Sequence, residues 1–527
     1  MPSFRHEAHT SQSHLDFRKV NLWVSPSRGG VPGRVHVSRG WDEPGPNREA
    51  FLSKLVSNPM LFGSIGRVER GSDGTSVETD RPMVDSGRKR DLEREGVGFE
   101  PDTIRVPMEQ AGAAADSETM ARATGASFRL AAAAQGVEGG PRIGRIAGTF
   151  AGDLETPAML LPTRRGAPTH ITPDHAESLA AGGPLAAQVS VVHFLEFPNK
   201  ETLRSSGRGI HQFAGLRKYF VLSTLRDTLH PELSDKRNTK NSVHTNTPSG
   251  YRHVNVDSYM DTVLALKPDM FVALSDDVGA NATGKRLDKS LQRTKLWTIE
   301  CLARAKESDC HGIMLAPIVG GNSLDHRRRA TEAARELQEV AGFAWTDFGT
   351  GESAEERLQA MEVSIGMLPA EKLRYAAGMR TVQEMLQCVA LGVDLFDSAH
   401  VHEVSSQGQA FTFLLDPRHA TEKVGLMEGT NGHTEVPYMV NLKDEVFDKD
   451  PLPISPGCTC MACQEYSRQY IHHLLHSREL LAEVLLQVHN YHHFLRFMHG
   501  VRDSIRDGSF PDLQTAWVGM YGTEEQV

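Results

Sequence analysis

Gly457-Cys-Thr-Cys-Met-Ala-Cys463 places three of the chain's six cysteines within six residues, and His489 follows the last of them by 26 positions. The segment leading to that histidine reads as helix, because Leu481, Val484, Leu485 and Val488 recur at i, i+3, i+4 and i+7. Three thiolates and one imidazole fill the tetrahedron that zinc prefers and leave no position for water or substrate. The spacing therefore predicts one structural zinc ion per chain, held by Cys458, Cys460, Cys463 and His489. Six more histidines (His472, His473, His476, His492, His493 and His499) crowd the region, so composition alone does not choose the fourth ligand. His489 is the favoured one.

Upstream of this knuckle, short apolar runs alternate with amphipathic stretches. The runs are Val189–Phe197, Tyr219–Thr224, Met270–Leu274, Gly312–Ile318, Phe343–Thr346, Arg374–Ala377 and Val393–Phe396. Between them, sets such as Val382, Met385, Leu386 and Val389 carry the helical period. Repeated β-then-α units imply a parallel sheet, and over this length they suit a closed (β/α)8 TIM-type barrel better than an open sheet. A further strand is expected at Val436–Leu442. Barrel enzymes carry reactive groups at the C-terminal strand ends. Asp276 and Asp277, Asp347 and Asp397 all fall there; the competing expectation is that each caps the helix that follows. The glycine pair in Val319-Gly-Gly-Asn322 is too short to cradle a phosphate convincingly, and no dinucleotide fingerprint follows any strand.

The 527 residues carry a net charge of −10, which excludes a general polyanion-coating protein and leaves room only for a local basic patch. Arg327, Arg328 and Arg329 are expected to be a solvated helix face, and Arg468, Arg478 and Arg502 are weaker candidates still for an RNA contact. Cys301, Cys310 and Cys388 are scattered singly, as in a reducing compartment. No apolar run approaches the roughly 20 residues of a membrane span, so a soluble protein is expected. Residues 1–125, rich in Gly, Ser, Pro and charge, are expected to be disordered, with the barrel and its zinc-binding element (457–505) occupying 126–527. Glu7 and Asp16 weaken a mitochondrial presequence reading.

Gly457-Cys-Thr-Cys-Met-Ala-Cys-Gln-Glu-Tyr-Ser-Arg-Gln-Tyr-Ile-His-His-Leu-Leu475, with His489-Asn490, closely resembles the zinc-binding end of the tRNA-guanine transglycosylases. Leu391-Gly-Val-Asp-Leu-Phe-Asp-Ser398, followed by Gly408-Gln-Ala-Phe-Thr-Phe413, is similar to the segment that carries their nucleophilic aspartate. Glu155-Thr-Pro-Ala-Met-Leu-Leu-Pro-Thr-Arg-Arg-Gly166 is similar to their opening strands, so the resemblance runs from about Phe128 to Ile505. It implies a (β/α)8 barrel and the replacement of guanine by queuine at the wobble position of tRNAs with GUN anticodons, with the base flipped from its loop. Asp397 matches the nucleophile, and a second group must move protons.

The chain departs from the catalytic pattern in three places. The Asp-Ser-Gly-Gly-Phe-Gln stretch is absent, and Lys200-Glu-Thr-Leu-Arg-Ser-Ser-Gly-Arg-Gly-Ile-His211 is expected in its place. Ala399-His-Val-His-Glu403 replaces a Pro-Thr-Arg motif, and Asp347-Phe-Gly-Thr-Gly-Glu352 replaces a Gly-Gly-Leu loop. Groups that act as a unit lose function together. The departures resemble the family's non-catalytic accessory chains, to which Leu274-Ser-Asp-Asp-Val278 and Tyr470-Ile-His-His-Leu-Leu-His-Ser-Arg-Glu-Leu-Leu481 are also similar. That implies a heterodimer with a catalytic queuine tRNA-ribosyltransferase subunit, contact with tRNA, and a place in the cytoplasm and at the outer mitochondrial membrane. Two alternatives stand beside it: active base exchange with Asp397 as nucleophile and Asp276 as base, and a zinc-stabilised RNA-binding protein outside any transglycosylase complex.

Overall fold

The computed structural model describes residues 126–522 apart from 134–139, 181–182, 231–232, 234–237, 248 and 420–435, together with four short upstream strands. The chain divides into two units, Met1–Pro107 and Met108–Val527. In the first, Leu22–Val24 pairs antiparallel with Val35–Val37, and Val68–Gly71 with Gly74–Val77. Apart from these ladders, the disorder expected of 1–125 lies outside the described residues.

In the second unit eight parallel strands close on themselves: β1 (Ala158–Arg164), β2 (Leu185–Ser190), β3 (Tyr219–Thr224), β4 (Met270–Val272), β5 (Ile313–Pro317), β6 (Gly342–Trp345), β7 (Leu373–Ala376) and β8 (Leu395–Asp397). Closure is made by Ala187 pairing with Leu161 on one side of β1 and Leu395 with Ala158 on the other. The barrel expected from the alternation is therefore present. Strands enclosed on both faces need unbroken apolar runs, which is why they were visible in the sequence. Val189–Phe197 is strand only through Ser190, where the partner β3 also ends at Thr224, and Val191–Phe194 turns into a 3-10 helix. Of Val436–Leu442 only Met439–Asn441 is strand, paired with Gln409–Phe411.

The helices start on hydroxyl and amide caps. Asn255, Ser323, Ser353 and Thr381 accept N–H bonds at the starts of Val256–Leu266, Leu324–Arg335, Ala354–Ile365 and Val382–Ala390. The helices that follow the strand-end aspartates start at Thr283, Ser353 and Ser398, so none of Asp276, Asp277, Asp347 and Asp397 is itself an N-cap residue, although the Ala399 N–H at the start of its helix bonds Asp397.

Leu160, Phe220, Leu222, Met270, Leu315, Leu373 and Leu395 fill the barrel interior, together with Ile146 and Leu154 from an antiparallel meander, Ser127–Ala133, Arg142–Ala147 and Leu154–Thr156. The meander is fastened to the start of β8 by a buried ion pair. Arg142 Nε donates to Asp394 Oδ1 at 3.0 Å, its Nη2 bonds Asp394 Oδ2, and Asp394 Oδ2 also accepts the Arg374 N–H at 2.8 Å. Both partners are at most 3% exposed. Removing the carboxylate leaves the buried Arg142 guanidinium without its counter-charge and the Arg374 N–H without its acceptor, so Asp394→Ala should cost about 3–5 kcal/mol in urea unfolding; a loss under about 1 kcal/mol, the level of an exposed pair, would show that the fastening is incidental.

Candidate functional site

After β8 the chain runs through helix Ala399–Ser406 and the Gln409–Phe411 ladder to Met461–Glu465, Arg468–Ser477, the long helix Leu480–Arg506 and Phe510–Tyr521. Cys460 caps Met461–Glu465 with its sulfur, which accepts the Cys463 N–H at 3.4 Å. The sulfurs of Cys458, Cys460 and Cys463 lie 3.8, 3.6 and 3.2 Å from His489 Nδ1, and all four atoms fall within 4.8 Å of one another. A tetrahedral ion with bonds of about 2.0–2.3 Å needs ligand atoms roughly 3.5–3.8 Å apart. The donor set fits such an ion.

His489 Nε2 donates to the Phe411 carbonyl at 2.8 Å, which leaves Nδ1 as the lone-pair nitrogen facing the sulfurs. The other histidines are engaged differently. His493 bonds the Phe413 carbonyl, and burial pushes its pKa down to about 3. His472 bonds Leu442 O, His476 bonds His472 O, and His499 pairs with Asp503. Among the described residues, His489 is the histidine grouped with all three cysteines, its ligand atom and theirs lying within 4.8 Å of one another, while His492 meets Cys458 and Thr459.

The second candidate is a cavity of about 480 Å³ at the C-terminal mouth of the barrel. Asp397, the last residue of β8, lines it at 1% exposure. Its Oδ2 accepts the Gly378 N–H at 2.8 Å, while Oδ1 has no protein partner. Burial pushes its pKa from 3.8 up to about 6. Tyr375 and His400 present a hydroxyl and an Nε2, also unpartnered, to the same region, and burial pushes His400 down to about 4. At neutral pH Asp397 is therefore mostly ionised and His400 neutral.

The other aspartates separate. Asp276, the candidate base, is fully buried beneath Arg286 at 2.5 and 2.9 Å, Arg293 at 2.9 Å and Asn238 at 2.6 Å, and it does not line the cavity. Two guanidinium groups neutralise it where a base would need a free lone pair. Its neighbour Asp277 faces the cavity instead, with Oδ1 accepting from Ser275 and Thr346. Asp347 accepts the Gly320 and Gly321 N–H groups and Arg327 Nη1 at 2.8 Å. The glycine pair thus cradles a carboxylate of the chain itself. Arg327 is 1% exposed and stacks over Phe348, so it is not part of a solvated face, whereas Arg328 and Arg329 are exposed. Arg468 pairs with Asp450 and Arg502 bonds Pro157 O, both in structural roles; Arg478 is exposed at a helix end.

Lys200–His211 forms the helices Lys200–Ser206 and Ile210–Phe213, and His211 bonds Asp269, which precedes β4. It therefore sits at the N-terminal end of the barrel, away from Asp397, and does not stand in for a cavity motif. The residues that follow β3, Arg226 and Asp227, do line the cavity. Applying the strand-end rule to β3 would have found them. Cations also enter from Arg164 and Arg380, and Lys285 and Lys289 line an adjoining cleft of about 550 Å³.

The family profile described as queuine tRNA-ribosyltransferase matches residues 138–523. The chain belongs to the queuine tRNA-ribosyltransferase family. It is similar to proteins named queuine tRNA-ribosyltransferase accessory subunit 2: 32% identical to that of Xenopus tropicalis over 68% of this chain and 91% of the relative. The proteins of that name from Pongo abelii and Homo sapiens are 32% and 31% identical over 72% of this chain and 96% of their own length. The barrel, the Cys3His cluster and the strand-end Asp397 all fall inside the matched span of the queuine tRNA-ribosyltransferase profile.

Two outcomes are expected of the isolated chain. Native mass spectrometry should find one metal ion per molecule, lost in Cys460→Ser and His489→Ala; full metal content in either variant would remove the assigned ligands. For Asp397, the folded chain holds its proton until about pH 6 while an unfolded carboxyl releases it near 3.8, so stability falls as pH rises through that window. Asp397→Asn should therefore be more stable than the natural chain by about 2–3 kcal/mol at pH 7, with no advantage below pH 4. An equal difference at both pH values would show that the carboxyl is not held protonated by burial.

Proposed function

We propose that the chain is the non-catalytic accessory subunit of a heterodimeric queuine tRNA-ribosyltransferase that exchanges guanine for queuine at the wobble position of tRNAs with GUN anticodons. The observation that carries the reading is the similarity along 91–96% of relatives named as accessory subunits. The cavity supports it chemically. A displacement through Asp397 needs a second group to move protons on the departing base. Of the carboxyls that could do so, Asp227 is tied to His193 at 3.1 Å, Asp277 to Ser275 and Arg226, and Asp276 to two arginines, which leaves the His400 imidazole as the unpartnered basic group. Arg164, Arg380, Lys285 and Lys289 suit contact with tRNA phosphates.

The metal is zinc in this reading, because three thiolates and one imidazole in a closed tetrahedron are its preferred set. It would be held by Cys458, Cys460, Cys463 and His489 and would supply structure and not chemistry. The partner is the catalytic subunit, and the location in the cytoplasm and at the outer mitochondrial surface follows the family resemblance. Among the described residues no helix is long and apolar enough to cross a membrane. One observation favours a second reading, base exchange by this chain itself: Asp397 Oδ1 lines the cavity without a partner.

Guanine exchange into a GUN-anticodon tRNA separates the two. We expect no activity from this chain alone and more from the mixture with the catalytic subunit than from that subunit alone, unchanged by Asp397→Asn and lost with Cys460→Ser. Activity of this chain alone, abolished by Asp397→Asn, would overturn the accessory role.

A further inference from the structure

Three clefts open at the barrel mouth, and one side chain lines all of them: Arg226, at the end of β3. Its guanidinium is 15% exposed. Nη1 donates to the Thr346 carbonyl at 2.5 Å and lies 3.4 Å from Asp277 Oδ2. Oδ1 of the same carboxylate is occupied by Ser275 Oγ at 2.5 Å and Thr346 Oγ1 at 3.2 Å. One carboxylate oxygen after β4 and one main-chain carbonyl after β6 thus converge on a single guanidinium nitrogen inside the cavity. Burial pushes Asp277, Asp397 and Tyr375 toward their protonated forms, and Arg226 is a charge that opposes this at all three. It therefore stands centrally among the cavity's polar groups.

A carboxylate beside a carbonyl is a two-acceptor surface that suits a planar edge with adjacent N–H donors. Arginine carries such an edge, and so does guanine, whose ring N–H and exocyclic amine form the same guanidine fragment. We propose that Arg226 is an internal occupant of a guanine-recognising acceptor pair, Asp277 and the Thr346 carbonyl, and that its guanidinium closes this subunit's cavity to the base. The inference rests on the chain being part of a guanine-exchanging complex. It accounts for a cavity in which Asp397 keeps a free oxygen with no base to act on. One nitrogen of Arg226, permanently charged, meets both acceptors without a ligand.

The test uses the full chain alone and equilibrium dialysis with radiolabelled guanine, comparing the natural protein with Arg226→Ala and Arg226→Met. Methionine keeps an apolar stem if alanine impairs folding, and it offers the acceptor pair no donor. Both variants should bind guanine at least about tenfold more tightly than the natural chain, because no charged occupant then competes for the two acceptors. Adding Asp277→Asn should abolish the gain. Low-millimolar guanidinium, but not methylammonium, should compete with guanine and raise the Tm of Arg226→Ala. Equal guanine binding by natural chain and folded variants, or weaker tRNA binding as the only effect, would overturn the inference and make Arg226 a phosphate contact. Guanine exchange by the natural chain alone would instead remove the accessory reading, whereas variants that still stimulate the catalytic subunit yet bind no guanine would remove this inference and leave that reading intact.

Discussion

Closure of β8 onto β1 is the constraint on which the rest depends. Leu395, Phe396 and Asp397 pair with Ala158, Met159 and Leu160, residues more than 230 positions earlier in the chain. With the ring closed and all strands parallel, whatever follows each strand is delivered to one mouth. Asp397, Tyr375, Asp277 and Arg226 share a cavity for that reason. The Arg142–Asp394 pair works at the opposite end of the same seam, fastening the meander to the residue that begins the last strand. Binding groups and packing groups are thereby kept at opposite ends.

The mouth is notable for how many polar groups answer one another within the chain. Asp347 fills the Gly320–Gly321 cradle, Arg226 fills the Asp277–Thr346 pair, and Arg286 with Arg293 fill the demand of Asp276. Each pairing lowers the desolvation cost of a buried polar group, and each also takes an acceptor or donor out of reach of a substrate. Asp397 Oδ1, the Tyr375 hydroxyl and His400 Nε2 are the cavity groups left without such an answer.

Much of the fold was legible because parallel strands buried on both faces leave runs such as Tyr219–Thr224 unbroken. The Cys3His cluster was legible too, since thiol spacing and a helical period pointed to Cys458, Cys460 and Cys463 against His489. Where the sequence fell short, the reason was a direction or a partner that spacing does not carry. Asp276 and Asp277 are adjacent, and only backbone geometry says which one meets the cavity. Arg327 looked like one of three surface cations because its partner, Asp347, lies on another strand end. Tyr375 sits inside an apolar run, and its place in the barrel interior follows from register alone. Lys200–His211 was matched by position along the chain, which cannot distinguish the two ends of a strand.

The long helix Leu480–Arg506 ties these levels together. Near its start His489 faces the three thiols and hands its other nitrogen to Phe411; near its end Arg502 bonds the Pro157 carbonyl and Arg506 bonds Glu155, just before β1 begins. One rigid rod therefore grips both the cysteine knuckle and the first stave of the barrel. The two regions share a common lever and should not behave as independent domains. Their melting is expected to be a single cooperative event.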